Sequence, residues 1–148
     1  MPRPRLVIVA FALLAAACGA NVTGPPDILV DRTACSHCGM FVSEPVYAAA
    51  YQATEQETRV FDDIGCMLKA LRAESRMPSR IWVQDAAGGG WLIADDAIFV
   101  ASSLIRSPMG GGVIAYADAA AAEKAAVTFR GDVRHSLEDL MAMNGDAR

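Results

Sequence analysis

Hydrophobic residues recur along the chain at two spacings, and these spacings predict its helices and strands. Segments rich in apolar and β-branched or aromatic residues, VYAAAYQA from Val46, TRVFD and RIWVQDA, are typical of strands. Between the second and third of them, a helix is predicted from about Asp63 to Glu74, with Asp62 or Asp63 as its cap. The third strand is expected to stop at residues 88–90, which are all glycine. The helix has apolar positions three or four residues apart on one face: Ile64, Met67, Leu68 and Leu71.

The same order of elements recurs in the second half of the chain. AIFVASS and GVIAYAD predict two strands, a helix follows from about Ala119 to Phe129, and GDVRHS predicts a third strand. Asp118 is the expected N-cap of this helix. Its predicted buried face consists of Ala122, Ala125, Ala126 and Phe129. The segment SLEDLMAMN predicts a short helix after the last strand.

These patterns predict an α+β fold made of two small, pseudo-repeated ββαβ units with antiparallel pairing. The first unit covers residues 34–87 and the second covers residues 88–148. We expect the two units to pack together, because each alone would have a marginal hydrophobic core. The length of 148 residues and the hydrophobic content of 53% suit one compact domain of this kind.

Residues 1–17 have a different pattern, which is typical of a removed export signal. A short basic region precedes an apolar stretch from Leu6 to Leu14 and then small residues, and the stretch is too short for a stable transmembrane helix. Cys18 follows, where a bacterial lipoprotein is acylated, although ordinary signal cleavage nearby is an alternative. Acylation would anchor the protein to a bacterial membrane, outside the cytoplasm. Residues 18–33 contain small, polar and proline-rich sequence and predict a flexible tether.

Charge and motifs argue against several classes of function. The net charge is −4 and there is no long basic run, so nucleic acid is not an expected partner. The glycine-rich stretches GGG and MGGGV lack the Lys-Ser/Thr of a phosphate-binding loop. The acidic pairs at 62–63 and 95–96 fit a helix cap and a solvated turn better than catalytic carboxylates. The chain is therefore not expected to be an enzyme of these kinds.

Sulfur side chains are concentrated in ACSHCGM, at residues 34–40. If Cys18 is acylated, the thiols of Cys35, Cys38 and Cys66 remain, and an odd number cannot all form internal disulfides. A zinc site would need a histidine as its fourth ligand, because there is no second Cys-x-x-Cys. The pair could also be a structural disulfide or the redox pair of an exported thiol–disulfide oxidoreductase, which remains the alternative. Covalent haem attachment is excluded, because Gly39 stands where a histidine is needed.

Met40 favours copper over these alternatives. A thioether is a poor ligand for Zn²⁺ and a good one for Cu(I), which prefers soft donors. We expect Cys38 and Met40 to lie in an extended segment and to leave it on the same face. A third donor could be Met109, in the loop SPMGGGV, or Cys66, in the first turn of a helix where the dipole favours a thiolate.

Four motifs together resemble the NosL type of nitrous oxide reductase accessory lipoprotein: CSHCGM, FDDIGCM, WVQD and SPMGGGVIAYAD. The resemblance extends over about residues 33–140. It implies a non-enzymatic Cu(I) chaperone, held outside the cytoplasmic membrane by a lipid anchor, with a fold of two related ββαβ units. It also implies delivery of copper toward the copper–sulfur centre of nitrous oxide reductase, with the help of an ABC-type membrane complex.

The resemblance also suggests which residues bind the metal. Cys38 and Met40 match the metal-binding Cys-Gly-Met, and Met109 matches a later Met-Gly position. Cys35 and His37 are further candidates within the same motif.

Overall fold

The structure, a computed structural model, describes residues 24–143. The predicted export signal and Cys18 lie outside the described residues. In chain order the elements are β1 Ala49–Gln52, β2 Thr58–Phe61, α1 Ile64–Ala73, β3 Ile81–Asp85, β4 Gly90–Ile93, β5 Ile98–Ala101, β6 Val113–Tyr116, α2 Ala119–Phe129, β7 Asp132–Arg134 and α3 Leu137–Met143. The α+β class is therefore confirmed. Among residues 24–143, no helix combines the length and the hydrophobicity that a membrane crossing requires.

The strands of the described chain form one seven-stranded sheet in the order β2-β1-β3-β6-β5-β7, with β4 also paired to β3. Within each half the pairing is antiparallel as predicted, but the second half begins with an additional strand, β4, before the predicted order of strand, strand, helix, strand. The junction differs, because β3 and β6 run parallel, with Asp85 opposite Ala115. A parallel pair needs a long connection, and the chain through β4 and β5 supplies it. The predicted boundary between units at residue 87 stays a prediction.

Two strand predictions differ from the structure. The first strand begins at Ala49 rather than Val46, because Pro45–Tyr47 forms a 3-10 turn with the proline at its first position. The glycines at 88–90 do end β3, but they form the turn of a hairpin whose second strand, β4, was not predicted. Gly88 and Gly90 take the φ values of 91° and 85° that this turn requires.

The two longer helices agree closely with their predictions and cover opposite faces of the sheet. Asp63 and Asp118 are the N-caps, and each carboxylate accepts a hydrogen bond from the backbone N–H three residues later. In β5, Phe99 belongs to the main core cluster that includes α1, whereas Val100 belongs to the cluster beneath α2. Neighbouring strand residues point to opposite faces of the sheet, so each face of the single sheet packs against one of the two helices.

Candidate metal centre

Three cysteines converge at the edge of the main hydrophobic core. The sulfur atoms of Cys35, Cys38 and Cys66 all lie within 4.8 Å of one another, and all three residues are free thiols. Cys35 and Cys66 are almost completely buried, at 2% and 1% exposure, whereas Cys38 is partly exposed. Metal–sulfur bonds of about 2.3 Å in a trigonal site place the sulfur atoms about 4 Å apart. The three thiols therefore lie close to the arrangement that a soft cation requires.

A tight turn brings Cys35 and Cys38 together. The N–H of Gly39 donates to the carbonyl of Cys35 at 2.9 Å, and the N–H of Cys35 donates to the carbonyl of Met40 at 2.7 Å. Gly39 has a φ of 77°, which glycine adopts without strain. The expectation of an extended segment is therefore wrong. The turn directs Cys38 toward the core and leaves Met40 with 58% of its surface exposed.

The turn is fastened to the sheet at the strand that leads into α1. The N–H of Ser36 donates to the carbonyl of Val60 in β2 at 2.7 Å. Because β2 continues almost directly into α1, this bond holds the Cys35–Cys38 turn beside the first turn of the helix. Cys66 lies in that first turn, and this explains why residues separated by about thirty positions in sequence meet in space.

Burial raises the pKa of two of the three thiols, Cys66 and Cys38. It raises the pKa of Cys66, and the nearby Cys35 and Asp63 raise it further. Burial is also the main reason why the pKa of Cys38 is raised. Burial therefore acts against the thiolate that the helix dipole was expected to favour at Cys66. A metal that binds here has to displace protons from these thiols.

Asp63 connects this cluster to the loop that carries Met109. Its Oδ1 accepts the N–H of Cys66 at 2.7 Å. Its Oδ2 accepts three further bonds: from the hydroxyl of Ser107 at 2.7 Å, the N–H of Gly111 at 3.0 Å and the N–H of Met109 at 3.3 Å. Asp63 is fully buried, so these four donors replace the water that its carboxylate loses. One carboxylate thus fixes the Met109 loop against the start of α1.

Two glycines allow the loop and the helix to approach this closely. A Cβ atom on Gly65 would lie 2.6 Å from the Cα of Gly111, and a Cβ atom on Gly111 would lie 2.8 Å from both the Cα of Gly65 and Oδ2 of Asp63. These distances are shorter than any normal contact, so both positions require glycine. The backbone of the loop consequently packs directly on the first turn of α1.

The remaining candidate residues have different surroundings. His37 is exposed in the turn, and Met109 is 40% exposed in its loop. Among the described residues, the thiols of Cys35, Cys38 and Cys66 form the group that could hold a metal through cysteine, histidine or carboxylate donors. Asp63 was expected only as a helix cap, and its second role was missed. The sequence signal for it is weak, since it consists of one acidic residue and a distant serine.

Comparisons with known proteins agree with this fold. The structure of the copper chaperone NosL from Shewanella denitrificans superimposes on the chain with a TM-score of 0.66 at 16% sequence identity. The superposition covers 77% of this chain and 93% of that one. None of the curated proteins compared with the chain matches it. The sequence profile of the NosL family matches residues 26–141, which are well over half of the chain, and the chain therefore belongs to the NosL family.

Proposed function

We propose that this protein is a copper chaperone that holds one Cu(I) ion among the thiols of Cys35, Cys38 and Cys66. The observation that carries the proposal is the convergence of three soft donors, all within 4.8 Å of one another. Cu(I) prefers thiolate and thioether ligands at low coordination number, and a site of three sulfur atoms meets that preference. The fold supports the proposal, because it is shared with the copper chaperone NosL from Shewanella denitrificans.

The donor set favours Cu(I) over Zn²⁺. A closed zinc site needs four ligands, and both oxygens of the neighbouring Asp63 already accept hydrogen bonds. His37 is exposed in the turn, and it does not belong to the group of donors that lie together among the described residues, so zinc would lack a fourth protein ligand there. A site with three sulfur donors leaves one position open, through which the sulfur or imidazole of a recipient can enter before the first bond breaks.

Met40 and Met109 supply thioethers during copper transfer. Met40 directly follows the Cys35–Cys38 turn and is 58% exposed, so a recipient protein can reach its sulfur. Met109 is held beside the first turn of α1 by the bond from its N–H to Asp63. We assign the three thiols to storage of the ion and the two methionines to its entry and exit.

The proposed setting is the outer side of a bacterial membrane. Cys18 is the acylation site, and the protein receives or delivers copper with an ABC-type membrane complex, for assembly of the copper–sulfur centre of nitrous oxide reductase. The pattern of residues 1–18 and the membership of the NosL family support this proposal. None of these steps requires an enzymatic activity of this chain.

A competition titration with a Cu(I)-specific chelator tests the donor assignment. We expect one Cu(I) per chain, and a loss of affinity of at least a hundredfold in Cys38→Ser or Cys66→Ser, because each removes one of three donors. Met40→Leu and Met109→Leu should lower affinity less than tenfold and slow transfer to an acceptor. His37→Ala is the matched control in the same turn.

X-ray absorption of the loaded protein provides the second test. A shell of about three sulfur atoms is expected for the proposed site. A shell of nitrogen and oxygen, or a bound Zn²⁺ that Cu(I) cannot displace, would exclude the proposal. If Met109→Leu abolishes binding and Cys66→Ser leaves it intact, the third donor is the thioether rather than the helix thiol.

The alternative, a thiol–disulfide oxidoreductase that uses Cys35 and Cys38, has less support in the structure. Their sulfur atoms are close enough to form a disulfide after a small movement. Catalysis of exchange, however, requires a reactive thiolate, and burial raises the pKa of Cys38. Reduction of insulin by the reduced protein, faster than by a Cys38→Ser variant, would favour this alternative.

A further inference from the structure

An apolar groove lies apart from the thiol cluster, at the ends of β3 and β4. It has a volume of about 1200 Å³ and lies between the loop after α1 and helix α3. Its apolar lining includes Met77, Trp82, Trp91, Ile93 and Met141. Met77 and Ile93 are 50% and 54% exposed, so the groove presents large apolar side chains to solvent next to one another.

The N-terminal segment enters the fold at this groove. Gly24 and Pro25 contribute to its lining, and the indole N–H of Trp91 donates to the carbonyl of Pro26 at 3.0 Å. Cys18 precedes Gly24 by six residues. Six residues of fully extended chain span roughly 20 Å. If Cys18 carries acyl chains, the groove is therefore held within about that distance of the membrane surface.

We propose that this groove rests on the surface of the lipid bilayer and takes lipid chains between its apolar side chains. The proposal rests on the membrane anchor proposed above. Tryptophan is favoured at the boundary between headgroups and acyl chains, and the partly exposed Trp91 lines the groove beside the buried Trp82. The exposed side chains of Met77 and Ile93 are the apolar residues that enter the boundary.

The charges around the groove identify the kind of lipid contact. Arg80, Asp95 and Glu138 contribute to its lining, so the charged side chains there carry no net positive charge. Attraction to anionic headgroups therefore does not drive the contact, and burial of apolar surface does. Binding should depend little on salt or on the fraction of anionic lipid.

Intrinsic fluorescence can test the proposal directly, because the chain has two tryptophans and both line the groove. The mature chain with Cys18→Ser is mixed with phosphatidylcholine vesicles. We expect a blue shift of the emission, and quenching when the lipids carry brominated acyl chains. Ile93→Glu and Met77→Glu should each weaken vesicle binding at least tenfold.

Val127→Glu is the matched control, because Val127 is 82% exposed on α2 and does not line the groove. It should bind vesicles like the parent protein. The proposal is overturned if vesicles leave the emission unchanged, or if the Ile93 and Val127 variants bind equally. It is also overturned if light scattering shows a dimer that Ile93→Glu dissociates, since a second copy would then occupy the groove.

The outcome can be separated from the other proposals. Cu(I) titration of Ile93→Glu should give the affinity of the parent protein. If the parent protein fails to bind copper, that result therefore does not count against the groove proposal. Detergent partitioning of the cell-derived protein tests acylation of Cys18. Vesicle binding of the Cys18→Ser chain supports the groove proposal whichever result that test gives.

Discussion

Replacing Asp63 by asparagine should destabilise the protein far more than an ordinary change of a helix cap. The amide oxygen can still accept the N–H of Cys66, but the amide nitrogen then faces three donors and cannot accept from them. The N–H groups of Met109 and Gly111 lose their acceptor in a partly buried setting. An unsatisfied buried donor costs about 1–3 kcal/mol, and the longer bond of Met109 should contribute less than that of Gly111. We therefore expect the free energy of unfolding to fall by about 2–4 kcal/mol in total.

The control is Asp118→Asn, which changes the N-cap of α2 in the same way. Asp118 accepts one exposed bond, from Ala121 at 2.8 Å, and asparagine caps helices as well as aspartate does. The free energy of unfolding of this variant should fall by less than about 0.5 kcal/mol. The free energy of unfolding is measured by urea denaturation of the reduced, metal-free proteins. If its dependence on urea concentration is the same in all variants, they expose the same amount of surface on unfolding and can be compared.

Amide hydrogen exchange supplies the local readout. In Asp63→Asn the amides of Met109 and Gly111 should exchange faster, while those in the centre of β1 and β3 should change only with the global stability. The reasoning is refuted if the Asp63 and Asp118 variants unfold at the same urea concentration. It is also refuted if the two loop amides keep their protection, since the carboxylate would then not be what holds the loop.

Two further changes test the surroundings of the site. Gly111→Ala should lower the thermal midpoint by several degrees, because the added Cβ would collide with Oδ2 of Asp63 and with Gly65. Gly24→Ala is the control and should change the midpoint little, because nothing lies near that position. Asp62→Asn should raise the free energy of unfolding at pH 7 by about 1–2 kcal/mol, because Asp62 is buried and its Oδ1 has no hydrogen-bond partner among residues 24–143. Burial and Asp63 raise the pKa of Asp62 in the folded state, so its ionisation destabilises the fold above that pKa. Denaturation at several pH values should show the gain disappearing as the pH falls toward the unfolded pKa of about 3.9, and a gain that stays constant with pH would contradict this cause.

The helices could be predicted from the sequence because their signals are local. Asp63 and Asp118 each precede a helix as its cap, and in α1 and α2 the apolar positions repeat with the helical period. The strand β4 was missed for a local reason too, since the glycines at 88–90 can end a strand or turn a hairpin. The three residues of β4 that follow these glycines are half-exposed or exposed, and nothing in them decides between these possibilities.

The candidate metal centre was only partly predictable, because its geometry depends on contacts between distant segments. The motif around Cys35 and Cys38 indicated soft-metal chemistry, but the alternating geometry of an extended segment was assumed where Gly39 makes a turn. The place of Cys66 depends on the docking of that turn on β2. The protonation of Cys66 depends on burial, which the sequence does not specify, and the helix dipole alone suggested the opposite direction.

If copper binds at the proposed thiol site, the carboxylate of Asp63 also relates copper loading to the completion of folding. Asp63 and Cys66 belong to the first half of the chain, whereas Ser107, Met109 and Gly111 belong to the second. A chain that has folded only its first half would carry all three thiols, yet Asp63 would lack the partners that it needs when buried. The first turn of α1 would then be poorly held, and the ion would bind weakly. Under the proposed function, the protein would therefore retain copper only after both halves have assembled.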